Sequence, residues 1–168
     1  MVKYFVTFVF LVIIVSCSSP GGTQTPNATY ENLQGIWGVV NDYGYFEFFD
    51  FINDIVVHGQ IDLGGYVSFI NIGAYHFHGP VAHSIWVYSL NSEGDIVPIE
   101  KDIHFAAFIE EDRSSMIINF MNDEEIFRMD YLGINPDVID EILGVPILGE
   151  YTADYLIERL LRHFVLEN

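Results

Sequence analysis

The stretch Tyr45-Phe46-Glu47-Phe48-Phe49-Asp50-Phe51 is apolar on both of its sides. Side chains alternate along an extended chain, so Tyr45, Glu47, Phe49 and Phe51 share one face while Phe46, Phe48 and Asp50 share the other. A sheet lying on the surface shows one polar face. A strand that is apolar on both needs two covers, as in a β-barrel with a packed inner wall and helices against its outer wall.

Working outward from this strand, short apolar runs alternate with turn chemistry about every 8–12 residues from Gly35 to Tyr131, the spacing of an antiparallel sandwich or barrel. The runs are Ile36–Asn41, Tyr45–Phe51, Ile55–Ile61, Tyr66–Asn71, Ala74–His78, Ser84–Leu90, Ile96–Ile99, Ile103–Ile109, Met116–Met121 and Ile126–Tyr131. Between them lie turn segments such as Asp42-Tyr43-Gly44, Gly64-Gly65, Asn71-Ile72-Gly73 and Gly79-Pro80, where Gly and Asn supply the positive φ of tight hairpins. After Tyr131 the period changes. Asn135-Pro136 starts a helix that Gly144 and Pro146 stop. Thr152 caps a second helix reaching about Leu166, with Ile157, Leu160, Leu161 and Phe164 on one packing face. The predicted fold is mainly β: an antiparallel up-and-down meander barrel of eight to ten strands with two C-terminal helices on its outside or across one end. Ten runs exceed eight if one bent strand has been split, with Asn71 to Gly73 the place to look.

At the first strand, Gly35-Ile36-Trp37 resembles the Gly-x-Trp opening of lipocalin-like (calycin) domains. The resemblance implies a barrel with an interior cavity open at one end and able to hold a small apolar molecule. It also implies that Trp37 closes the other end against a late-strand arginine, for which Arg128 is the candidate. Such a fold hosts many functions, so activity has to be argued from individual residues.

Glu47 is the carboxylate of interest, because its strand face is otherwise Tyr45, Phe49 and Phe51. A carboxyl group among aromatics can orient a ligand in an apolar pocket, although acidic residues more often reach water. Trp86 and Tyr88 share a strand face and are expected to line the same cavity or to pack in the core. Glu47, Tyr45, Phe49, Trp86 and Tyr88 are therefore the candidate ligand-binding residues. His76, His78 and His83 are weak metal candidates for zinc or copper. Their spacing matches no metal motif, and hydrogen-bonded or exposed strand histidines are the commoner outcome, so neither a metal nor a cofactor is expected. His58 and His104 read as lone strand histidines. No nucleophile elbow, zincin motif, phosphate loop or dinucleotide fingerprint occurs, so a non-catalytic protein is expected.

The chain begins with Lys3 and the apolar run Phe5 to Val15, shorter than the roughly 20 residues that span a bilayer. Ile14-Val15-Ser16-Cys17 resembles a bacterial lipobox, which implies cleavage before Cys17 and lipidation, such as palmitate, of that cysteine. The expected organisation is a signal peptide over 1–16, a flexible tether over 17–29 rich in Ser, Gly, Thr and Pro, and a lipocalin-like domain over 30–168. Cys17 is the only cysteine, so the domain is stable without internal disulfides. With 24 acidic residues, six basic ones and a net charge of −18, the chain is unsuited to nucleic acid. Such acidity invites a basic partner or divalent cations, though it more often serves solubility. The expected function is a lipid-anchored cell-envelope protein binding a small apolar or amphipathic ligand in the barrel. The alternative is a non-catalytic structural lipoprotein with a packed core and an acidic surface for an unidentified protein partner. Ser18 lacks the aspartate that retains enteric lipoproteins at the inner membrane, which favours the outer membrane.

Overall fold

The computed structural model describes residues 25–121 and 125–167. The lipobox and Cys17 lie outside these residues. Eight strands form a closed antiparallel barrel in which each pairs with the next and the last pairs with the first: β1 (Gly35–Val40), β2 (Tyr45–Ile52), β3 (Ile55–Asp62), β4 (Val67–His78), β5 (Val81–Asn91), β6 (Ile96–Ile109), β7 (Ser115–Phe120) and β8 (Glu125–Gly133). Helix α1 (Tyr30–Leu33) precedes the barrel, and α2 (Asp137–Leu143) and α3 (Ala153–Glu167) follow it.

The ten apolar runs become eight strands because two pairs fuse. Asn71-Ile72-Gly73, expected to turn, runs straight through β4, where the register with β5 shifts between Ile72 and Gly73. A Cβ on Gly73 would lie 2.2 Å from the Ile85 carbonyl oxygen, so glycine serves here to let a neighbouring backbone approach. Likewise Ile96–Ile99 and Ile103–Ile109 are parts of β6, joined across an irregularity opposite Trp86 and Tyr88.

The doubly apolar strand behaves as its alternation demands. Phe49 and Phe51 join an inner cluster with Trp37, Tyr75, Trp86 and Phe105, whereas Phe46 and Phe48 join an outer one with Ile36, Val57, Ile70 and Ile72. Ile139 and Leu143 of α2 and Leu156, Ile157 and Leu160 of α3 cover that outer layer. Each fully buried side chain of this size stabilises the fold by about 1.5–3 kcal/mol relative to exposure. Phe48 lies over Gly59, where an added Cβ would come within 2.3 Å of its ring.

The helix boundaries follow local chemistry. Pro136 precedes α2, and Gly144 ends it at φ +65 with its N–H donating to Asp140 O. The Thr152 side chain accepts from Tyr155 N, and the Asp140 carboxylate accepts from Ala153 N at the start of α3. The short α1 is capped reciprocally by Thr29 and Asn32. Residues just ahead of α1 are held to the barrel. Asn27 donates to Ile109 O at 2.9 Å and accepts from Ile109 N at 2.7 Å, and Ala28 is buried.

Helix α1 closes one end of the barrel. Trp37 Nε1 donates to Leu33 O at 2.8 Å, and the Trp37 ring packs on Tyr131 at 4.9 Å between centroids. The cation at this end is Arg113, from the β6–β7 turn. Its guanidinium sits 4.7 Å from the Tyr131 ring centroid and donates to Gln34 O at 2.7 Å. Arg128 does not take this place. It alternates with the inward Phe127 and Met129, so its side chain points outward, is 66% exposed and pairs with Glu110 at 3.1 Å.

Candidate functional site

At the other end of the barrel the inner wall is less completely buried. Val39, Phe127 and Ile99 are partly buried residues packed on the inner cluster, and Tyr45, Gln60 and Phe69 are also half-buried. The hairpins around this end carry exposed apolar side chains: Val40 and Tyr43, Leu63 and Tyr66, and Met121 and Ile126. They place exposed apolar groups around the end of the barrel away from α1.

Further in from that end, β2 directs Glu47 inward and the β2–β3 register places His58 opposite Phe49. Glu47 is only 5% exposed, and its Oε1 lies 2.9 Å from His58 Nε2. The contact is a hydrogen bond when Nε2 carries the proton, and it supplies the partner a buried carboxylate requires. The imidazole stacks on Phe49 at 4.1 Å and 9°, meets Phe69 edge-on at 5.0 Å, and lies 5.8 Å from Trp86. Trp86 is 2% exposed, and its Nε1 has no hydrogen-bond acceptor among the described residues. The site thus combines an aromatic lining, a charge-capable pair and an unsatisfied donor.

Of the candidate ligand-binding residues, Glu47, Phe49 and Trp86 meet here, and Tyr45 shares their side of β2 nearer the end away from α1. Tyr88 does not. Between Trp86 and Tyr88 the pairing with both neighbours slips, so Trp86 faces inward while Tyr88 faces outward and meets His163 of α3 at 4.6 Å. The bulge breaks the alternation that put both on one face. His58 is no lone strand histidine. Its coupling to Glu47 was readable once β2 and β3 were paired through their short turn.

Asp50 also leaves the expected company of Phe46 and Phe48 only in its chemistry. It lies under α3 and lines a cleft of about 340 Å³ with Ile134, Pro136, Asp154, Ile157 and Glu158. Burial pushes its carboxyl up from 3.8 to about 7. His76, His78 and His83 project from the outer side of β4 and β5, opposite to the inward Tyr75, Phe77 and Ala82.

No family model, curated protein or solved structure matches the chain. No described helix is long and apolar enough to cross a membrane. The functional reading therefore rests on the chemistry of the chain itself.

Proposed function

We propose that this chain is a lipid-anchored protein of the cell envelope, favouring the outer membrane, whose barrel takes a small amphipathic ligand through its apolar-rimmed end. The observation that carries the reading is the buried Trp86 indole N–H without an acceptor, beside the Glu47–His58 pair. A buried donor left unpaired costs about 1–3 kcal/mol, which an oxygen on a ligand recovers. The ligand's polar end then sits deepest, against Trp86 and Glu47, with its apolar part among Phe69, Val39 and Phe127. The lipobox at Ile14 to Cys17 supports the address. Asn27, held against Ile109, puts the attachment of the predicted tether at the closed end of the barrel.

A dansyl-labelled long-chain alcohol, titrated against the lipidated chain in nanodiscs with bare nanodiscs as blank, tests the reading. One saturable site per chain, weakened by Trp86→Phe, is expected. Absence of saturable binding overturns it in favour of a solid core with an acidic interaction surface. Palmitate labelling that persists in Cys17→Ser overturns the anchor.

A further inference from the structure

Four of the six histidines converge on one patch of the outer wall, brought together by strand register. His76 of β4 is directly opposite His83 of β5, and His83 is directly opposite His104 of β6. Directly opposed side chains have Cβ atoms about 4.5–5.5 Å apart, close enough for imidazole nitrogens to meet. His78, two residues from His76 on the same face, and Asp102, two residues from His104, complete the group. His76 Nε2 lies 3.0 Å from His78 Nε2 and 3.4 Å from His83 Nδ1. On the other side of its ring, His83 Nε2 contacts Asp102 Oδ1, and His104 Nε2 is 3.7 Å from that same oxygen. The His83 and His104 rings stack at 4.6 Å.

We infer that this patch is a binding site for one d-block divalent cation of the zinc class, with His83, Asp102 and His104 as its ligands. One ligand atom from each of the three lies within 4.8 Å of the others. Ligands at zinc's usual bond lengths stand about 3.3 Å apart around a tetrahedral ion. The remaining adjustment falls on Asp102 and His104, whose side chains are 63% and 47% exposed and already lie against one another. Two imidazoles and one carboxylate are the donor set of a zinc site that keeps its fourth position for water or another ligand. His76, on the Nδ1 side of the His83 ring, lies outside the ligand set, and the acid-rich chain concentrates cations around the patch. Calcium and magnesium, which take oxygen ligands, are excluded by the nitrogen donors.

The full chain, stripped with a chelator, is titrated with zinc chloride against a chromophoric zinc indicator, and the zinc-loaded form is studied by X-ray absorption. One zinc per chain is expected, with a light-atom shell containing at least two imidazoles. His83→Ala and His104→Ala each weaken binding by about tenfold or more, and Asp102→Asn weakens it while leaving the far-ultraviolet circular dichroism unchanged. His163→Ala, outside the patch, leaves affinity unaltered. No stoichiometric zinc overturns the site. So does undiminished affinity in the His83→Ala/His104→Ala double variant, or loss on His76→Ala/His78→Ala alone.

Discussion

Glu47 and His58 meet inside the barrel, Oε1 to Nε2 at 2.9 Å, as a diagonal pair offset by two residues from direct opposition on the β2–β3 hairpin. Because both are enclosed by aromatics, the pair is balanced only when both members are present. His58→Ala leaves the Glu47 carboxylate buried without its partner and is expected to cost about 3 kcal/mol in urea unfolding. Glu47→Gln, which keeps an acceptor for His58, is expected to cost clearly less. Equal losses in the two variants argue against a coupled pair.

Asp50 makes the fold sensitive to alkali. Its folded-state carboxyl titrates near 7 rather than 3.8, so between these values the folded chain holds a proton that the unfolded chain has released. Stability from this group is fully present below about pH 4 and is lost as pH rises through about 7, at up to about 1.4 kcal/mol per pH unit. Asp50→Asn is expected to match the parent protein near pH 4 and to exceed its stability at pH 8. Urea midpoints across that range measure the difference, and parallel pH profiles for the two proteins contradict it.

The two tryptophans are expected to respond differently to the same change. Trp37→Phe removes a buried hydrogen bond to Leu33 O and part of the packing on Tyr131. Trp86→Phe removes an indole N–H that has no acceptor among the described residues. The first should cost about 1 kcal/mol more than the second, since only it leaves a buried carbonyl unpaired. Chemical denaturation of both variants gives the comparison, and a costlier Trp86→Phe counts against an unsatisfied indole.

Arg113 and Arg128 are separated by what they touch. Arg113→Ala loses the contact with Tyr131 and the bond to Gln34 O, together about 1–2 kcal/mol, and loosens the closed end. Arg128→Ala loses a largely exposed ion pair with Glu110 and a 3.3 Å bond to Ser115 Oγ, together expected to be under about 1 kcal/mol. Thermal unfolding of the two variants distinguishes the cation that braces Tyr131 and Trp37 from the one paired on the outer wall.

The barrel, its helical cover and the helix boundaries were legible in local patterns. Phe46 and Phe48 opposite Phe49 and Phe51 require two covers because alternation along a strand is geometrically fixed, and Pro136, Gly144 and Thr152 act through backbone constraints within one turn. Strand number was legible as eight to ten with Asn71 to Gly73 the place of a split strand, and it was not sharper because a glycine that admits a neighbouring backbone at Gly73 has the same local signature as one that makes a turn. The bulge at Trp86 to Tyr88 sends two residues read as neighbours to opposite walls. The partners of Glu47, His83 and Trp37 come from other strands and turns.

By itself, then, the sequence determined which segments are extended, which are helical and that the extended ones are covered on both sides, since these depend on periodicity and local conformational preference. Tertiary structure alone decided that Arg113 rather than Arg128 braces the closed end, that Trp86 and Tyr88 face opposite walls, and that His104 and Asp102 join the other histidines. Those relationships depend on register and bulges across strands distant in the chain, where a shift of one residue reverses the side on which every following side chain lies.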